Sequence, residues 1–411
     1  MLKNYFKIAI AVLLRRKFFT FISLFGISFT LTILMTTTAL LDNVLSPSYP
    51  DYKRDRSLYA DRVTLKNSKE GWINSSSMSY NFIKRYISTL KKPDKIAFFT
   101  SGNTANAYVN NKKINAEFKY TIDAYWEIAE YDFLEGKPYN KQQIDNADRV
   151  AVISERTKKA YFGDLDKVTG KFIELDNVNY RVIGVVEGVP RSNRNFYGDV
   201  YLPYTVSKNT YEEQGLMGNF GVTLLAKSEA DLPAMHAEYA KMLSKVPREK
   251  DFDKLYVHAE TVFEGLARRV FGTDDSNGVV QMVIIVSLAV LLFLLLPTIN
   301  LVNINVTRIM ERSSEIGVRK AFGASSKTLV YQFLVENIIL TLLGGILGVL
   351  LSLIVIYFFN QSSMIPDLKL SLNFTVLAIG LGICLIFGLM SGVYPAWRMS
   401  RLNVVSALKV R

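Results

Sequence analysis

The residue types that usually carry catalysis are sparse in this 411-residue chain and form no recognised constellation. Its two histidines, His236 and His258, stand outside any H-E-x-x-H zinc motif. No G-x-S-x-G nucleophile elbow occurs. The run from Gly323 to Thr328 ends in Lys327-Thr328, like the tail of a phosphate-binding G-x-x-x-x-G-K-[ST] loop. It lacks the second glycine before the lysine and follows no strand. Cys384, the only cysteine, lies in an apolar stretch and reads as a small filler. Acid–base, metal and nucleophilic chemistry are therefore not expected, and no cofactor is implied. Any energy from ATP has to come from another chain.

The informative spacing lies instead in residues 311–337. Ile316, Val318, Ala321 and Phe322 interleave with Glu315, Arg319 and Lys320, so a helix here has both an apolar and a charged face. Glu315 precedes Arg319 by one turn, the favourable order for an ion pair. Gly323 suits the end of that helix, and Ser325 or Ser326 the start of the next. Such a helix fits a partner's groove. On spacing alone it fits a basic turn against lipid headgroups equally well.

The elements that position this segment are membrane spans. Four stretches, 18–41, 276–307, 337–366 and 370–397, contain no Asp, Glu, Lys or Arg, and each exceeds the ~20 residues a helix needs to cross a bilayer. The net charge of +12 is concentrated in three short segments. Lys3, Lys7, Arg15, Arg16 and Lys17 precede the first stretch without an acid. Arg308, Arg312, Arg319, Lys320 and Lys327 follow the second. Arg398, Arg401, Lys409 and Arg411 follow the last. An even number of spans puts all three on one side, which the positive-inside rule makes the cytoplasm. The basic balance is thus a topology signal, and nucleic acid is not an expected partner. The first stretch is too long for a signal-peptide core and lacks a good cleavage site, so it reads as a retained anchor. Before it, Leu2, Phe6, Ile10 and Leu13 share a helical face with Ala9, as in a helix lying on the inner leaflet. Pro297 with Asn300, Asn303 and Asn305 predicts a kink in the second span. Glu336 is expected at the inner edge of the third, at the interface and paired.

Residues 42–275 form one block outside the membrane, without a cysteine to form disulfides. Periodicity predicts strands over 61–66 and 95–100 around a helix over 78–90, whose stripe is Met78, Phe82, Tyr86 and Leu90. It also predicts strands over 220–226 and 254–258 around a helix that opens with a capping box, Ser228 to Asp231, and runs through Met242. Two strand–helix–strand units thus flank the middle, the pattern of an α/β domain carrying an insertion at about 125–203. Within the insertion, 149–153 reads as a strand, and Ser154 caps a helix ending at Gly163. Residues 172–175 and 180–186 form a hairpin across Asp176-Asn177. The insertion is expected to be a unit of its own, so that removing 131–202 leaves the rest folded.

Residues 315–324, Glu-Ile-Gly-Val-Arg-Lys-Ala-Phe-Gly-Ala, continuing to Phe333-Leu334-Val335-Glu336, resemble the coupling-helix region of the MacB/FtsX-like permease family of ABC transporters. Residues 391–398, Ser-Gly-Val-Tyr-Pro-Ala-Trp-Arg, followed by 405–408, Val-Ser-Ala-Leu, are similar to its C-terminal signature. Residues 150–155, 161–163 and 182–190 resemble its extracytoplasmic core domain. The resemblance implies an α-helical membrane protein with four transmembrane helices and a large α+β outer domain, a porter-like α/β unit with an inserted β-rich unit. The corresponding division is a cytoplasmic amphipathic helix at 1–17, spans at 18–41, 279–305, 337–360 and 372–397, and an outer domain at 42–275. A coupling loop at 306–335 and a tail at 398–411 complete it, and 279–411 is the permease domain. The resemblance also implies a separate ATPase below a dimer of permeases, homodimeric or heterodimeric, and it leaves open an adaptor and an outer-membrane duct. ATPase coupling falls to Glu315, Ile316, Gly317, Val318, Arg319, Lys320, Ala321, Phe322, Gly323 and Ala324. Gly344, Gly348, Gly388 and Gly392 allow close helix approach. The function implied is export or extraction of an amphipathic substrate, with relay of a signal to a cell-wall hydrolase as the alternative.

Overall fold

The computed structural model describes residues 17–100, 103–109, 112–207, 215–292, 325–362 and 370–375, with isolated positions elsewhere. The chain divides into two compact units, one of residues 1–42, 283–364 and 369–411, the other of residues 43–282 and 365–368.

In the first unit, α1 (Lys17–Leu45) and the C-terminal part of α9 (Ser326–Gln361) are long and apolar enough to cross a membrane. The stretch Leu334–Gln361 qualifies within α9, and α8 (Val279–Leu292) is a shorter apolar helix. Residues 293–306 of the second expected span, with Pro297, Asn300, Asn303 and Asn305, and about half of the fourth lie outside the described residues. Phe18, Phe21, Phe25 and Phe29 are exposed along α1, whereas Ile27, Leu31 and Met35 are buried. Ser325, one of the two candidates, caps α9 by accepting the Thr328 N–H at 3.2 Å. Leu13 packs against Ile339 and Leu340, and its carbonyl accepts the Thr20 hydroxyl at 2.9 Å. Leu2, Phe6 and Ala9 lie outside the described residues. Glu336 is only 1% exposed, buried within this unit.

In the second unit, fourteen strands among the described residues form one sheet, whose main path runs β14-β2-β3-β13-β4-β6-β11-β8-β10-β7. The first part comprises β1 (Ser57–Ala60), β2 (Val63–Lys66), β3 (Ile73–Met78) and β4 (Lys95–Thr100). It is completed by β12 (Met217–Gly218), β13 (Phe220–Leu225) and β14 (Lys254–Val257). Helices α2 (Tyr80–Arg85) and α6 (Leu232–Leu243) bring Phe82, Met235 and Tyr239 against Leu58, Val222 and Leu224. The Ser228–Asp231 capping box is present. The helix expected over 78–90 is shorter. Met78 stays in β3, opposite Met217 and Phe220, because Ser79 already caps α2 through the Phe82 N–H. A 3-10 turn at Ile87–Thr89 replaces the far end.

The sheet continues without a break into β5 (Asn103–Val109), β6 (Lys112–Thr121), β7 (Phe133–Gly136), β8 (Val150–Ser154), β9 (Phe172–Leu175), β10 (Val178–Val186) and β11 (Val200–Pro203). Two pairs are parallel, β6 with β11 and β8 with β10, the second joined through α5 (Glu155–Phe162). Ser154 caps α5 and Gly163 ends it at φ +69°. Asp176 and Asn177 both have positive φ, the geometry of a tight hairpin turn between β9 and β10. Residues 125–203 share a core with the flanking strands: Tyr125, Tyr131, Phe196 and Tyr201 cluster with Ala97 and Phe99 of β4 and Leu225 of β13. Removal of 131–202 would strip Tyr131, Phe196 and Tyr201 from a face that β4, β13 and Tyr125 also supply.

Lys119 of β6 is 0% exposed. Its ammonium donates to the carbonyls of Thr100 at 3.2 Å and Arg194 at 3.1 Å and lies over the Phe99 ring. Burial pushes its pKa down to about 7. The unfolded chain therefore binds more protons than the folded one above that value. Stability should rise as pH increases from about 7 toward the unfolded lysine value, with the full cost of burial present below it. Between about pH 7 and pH 9 the gain is on the order of 2 kcal/mol. Thermal unfolding of the purified chain should show this rise, and Lys119→Met should flatten it.

Candidate functional site

Two of the glycines expected to allow close helix approach lie where α1 and α9 touch, inside the first unit. A Cβ at Gly344 would stand 2.8 Å from the Ile27 Cβ, and one at Gly348 2.8 Å from the Leu31 Cβ and 3.1 Å from the Ser28 carbonyl oxygen. Glycine at both positions lets the two backbones approach. Around this contact Ser28 and Ser352 are buried, and their hydroxyls return to main-chain carbonyls of their own helices, as hydroxyls in an apolar setting must. Thr32 donates to the Ser28 carbonyl at 2.7 Å and also lies 3.3 Å from the Gly348 carbonyl, which links the helices. Gly348→Leu should force them apart at a cost of about 1–3 kcal/mol, with Gly348→Ala falling between. The melting temperature of the purified chain in detergent measures the series.

At its far end α9 is tied by a reciprocal amide pair. Asn360 donates to the Leu370 carbonyl at 2.9 Å and accepts the Leu370 N–H at 2.8 Å. Where the chain enters the second unit, Arg54 gathers residues of the last turn of α1. Its Nη1 donates to the Val44 carbonyl at 2.7 Å and the Ser46 carbonyl at 3.0 Å, satisfying oxygens that a helix end leaves open. Its Nε donates to Asp51 at 2.8 Å, and the Tyr59 hydroxyl donates to the same carboxylate at 2.8 Å. Burial raises the Asp51 pKa, against the lowering pull of Arg54 and Tyr59. Sequence reasoning did not reach this clamp. The i, i+3 spacing of Asp51 and Arg54 was its only trace, and it does not predict burial.

Of residues 315–324, expected to couple to an ATPase, Val318 and Phe322 are described. They are 47% and 88% exposed, and the Phe322 N–H donates to the Val318 carbonyl at 3.1 Å, one helical turn apart. Glu315, Ile316, Gly317, Arg319, Lys320, Ala321, Gly323 and Ala324 lie outside the described residues, as do Gly388, Gly392 and Cys384. The two histidines are distant from this segment in role. His236 stands 3.6 Å from Glu264, and burial, reinforced by Arg268, pushes the His258 pKa down to about 4. Among the described residues no group of three His, Cys, Asp or Glu side chains could hold a metal ion.

The chain thus combines a β-rich α/β unit with two helices, packed through glycine, that are long and apolar enough to cross a membrane. Residues 20–241 match the MacB-like periplasmic core domain, and residues 287–404 match the FtsX-like permease C-terminal domain. The chain belongs to the MacB/FtsX-like permease family of ABC transporters. It is 27% identical over 299 residues to the macrolide export ATP-binding/permease protein MacB of Pasteurella multocida (strain Pm70), covering 72% of this chain and 44% of that protein. Against MacB of Escherichia coli (strain K12) the identity is 26% over 304 residues, covering 73% and 44%. The chain thus spans less than half the length of these curated relatives. Among solved structures, the extracellular domain of the noncanonic ABC-type transporter YknZ from Gram-positive bacteria matches at 14% identity and a TM-score of 0.37, over 48% of this chain and 99% of that one. The periplasmic region of MacB from Actinobacillus actinomycetemcomitans matches at 15% and 0.36, over 53% and 94%.

Proposed function

We propose that this chain is the permease subunit of an ABC transporter, which couples ATP hydrolysis by a separate ATPase to movement of its outer domain. The observation that carries the reading is one chain joining a MacB-like periplasmic core domain to an FtsX-like permease domain, with Val318 and Phe322 exposed on one turn between the apolar helices. In this scheme residues 315–324 dock into the ATPase, and four spans carry its movement to residues 42–275. The termini lie in the cytoplasm, the outer domain lies in the periplasm, and two permeases act together. The α1/α9 contact suits such a relay, because helices in backbone contact move as one body. The substrate class is amphipathic, such as a peptide, drug or lipoprotein.

Two measurements test this. Reporter fusions at Asn110 and Met364 should be active only outside the cytoplasm, and fusions at Ser325 and Arg411 only inside. The chain purified from its own cells in detergent should carry an ATPase whose turnover rises in its presence. A cytoplasmic signal at Asn110 overturns the topology, and a chain that neither binds nor stimulates an ATPase overturns the function.

A further inference from the structure

One charged cluster in the outer unit takes no part in the relay. Tyr197 is 4% exposed, and two arginines close on it from different elements. Arg156, on α5, donates to its hydroxyl and, at 2.5 Å, to the Asp199 carboxylate. Arg191, on the turn that follows β10, donates through Nε to the same hydroxyl at 3.0 Å. Both guanidiniums also stand over the Tyr197 ring, at 5.6 and 5.4 Å from its centroid. Asp199 is held in turn by the Glu117 N–H at 2.9 Å.

Two like charges drawn to one phenol oxygen repel each other, and Asp199 is in direct contact with Arg156 alone, acting on Arg191 from farther away. Arg191 is exposed and has spent only its Nε. Among the described residues its two Nη groups have no hydrogen-bond or ion-pair partner. Arg156 is fixed through Nη2, with its side chain 38% exposed. Arg194 adds a further exposed positive charge on the same turn. The arrangement is a fixed pair of forks with surplus positive charge, and such forks match an oxyanion in two parallel bonds.

We infer that Arg156 and Arg191, held against Tyr197, form a binding site for a phosphate group. Two sources present that chemistry, a lipid headgroup and a soluble phosphate compound. The site stands independently of the function proposed above.

The test uses the purified full chain and inorganic phosphate, by equilibrium binding in detergent. One saturable site per chain is expected. Arg191→Gln should weaken it by about tenfold or more, because it removes the free fork. Tyr197→Phe should weaken it less, because it releases Arg191 without removing it and leaves Arg156 held by Asp199. Arg191 is exposed, so thermal unfolding of Arg191→Gln without phosphate should match the parent. If that variant does not fold, Arg191→Lys, which keeps the charge and loses the fork, takes its place and should also bind more weakly. The chain in nanodiscs separates the sources. Displacement of phosphate by phosphatidylglycerol and not by phosphatidylcholine assigns the headgroup, and indifference to both assigns a soluble phosphate. Absence of saturable binding in detergent and in nanodiscs overturns the site, as does equal binding by the parent and the Arg191 variant.

Discussion

Phe322→Asp is expected to abolish capture of the ATPase while leaving the chain inserted and folded. Phe322 is 88% exposed, so its ring contributes almost nothing to this chain's own packing and its loss should not unfold it. An aromatic ring that fills a partner's groove is a different matter. Truncating such an anchor costs about 2–4 kcal/mol, a loss of about 30-fold or more in affinity, and an aspartate adds the burial of a charge. Val318→Asp, one turn away on the same face, should act in the same direction with a smaller effect. Gly317→Trp should block the approach sterically. Arg319→Glu should weaken binding by about 2–5 kcal/mol if the arginine is fully desolvated in the complex and far less at a rim, where salt screens it. Co-purification in detergent and ATP turnover of the complex read all four. If Phe322→Asp binds and stimulates like the parent, the segment is a basic turn at the membrane surface and the docking surface lies elsewhere.

Arg54→Met is expected to destabilise the chain by about 3–5 kcal/mol, because it leaves Asp51 buried without its cation. The carbonyls of Val44 and Ser46 lose their donor in the same step, which opens the last turn of α1. For a unit of about this size each kcal/mol lowers the melting temperature by about 2–4 °C, so a fall on the order of 10 °C should be seen. Hydrogen exchange should quicken first at residues 43–59. Adding Asp51→Leu should recover part of the loss by removing the stranded carboxylate. The carbonyls do not regain the guanidinium donor, so recovery should be incomplete. An Arg54→Met chain that melts with the parent would show that water replaces the guanidinium without cost.

Local signals were legible in the chain because local energies decide them. Ser154 and Gly163 bound α5, Ser228 to Asp231 open the helix of the second strand–helix–strand unit, and Asp176-Asn177 turn the hairpin. Each depends on backbone groups within a few residues. The family was legible too, since its motifs are contiguous, and the chain matches both of its domains. The helix over 78–90 failed in detail because Met78 answers to a strand 139 residues away rather than to its own stripe.

Tertiary structure alone decided the rest. Alternation along β6 puts Lys119 on the face with Glu117 and Thr121, which reads as solvent-facing. The structure buries it because β6 lies inside a sheet and its ammonium finds carbonyls from Thr100 and Arg194. Gly344 and Gly348 announced a close approach without naming the partner, and α1, some 320 residues earlier, supplies it. The Arg54 clamp and the pair of arginines on Tyr197 left no contiguous pattern. Their members come from separate elements, and the energy that holds them exists only after burial has lowered the local dielectric and the sheet has set their distances.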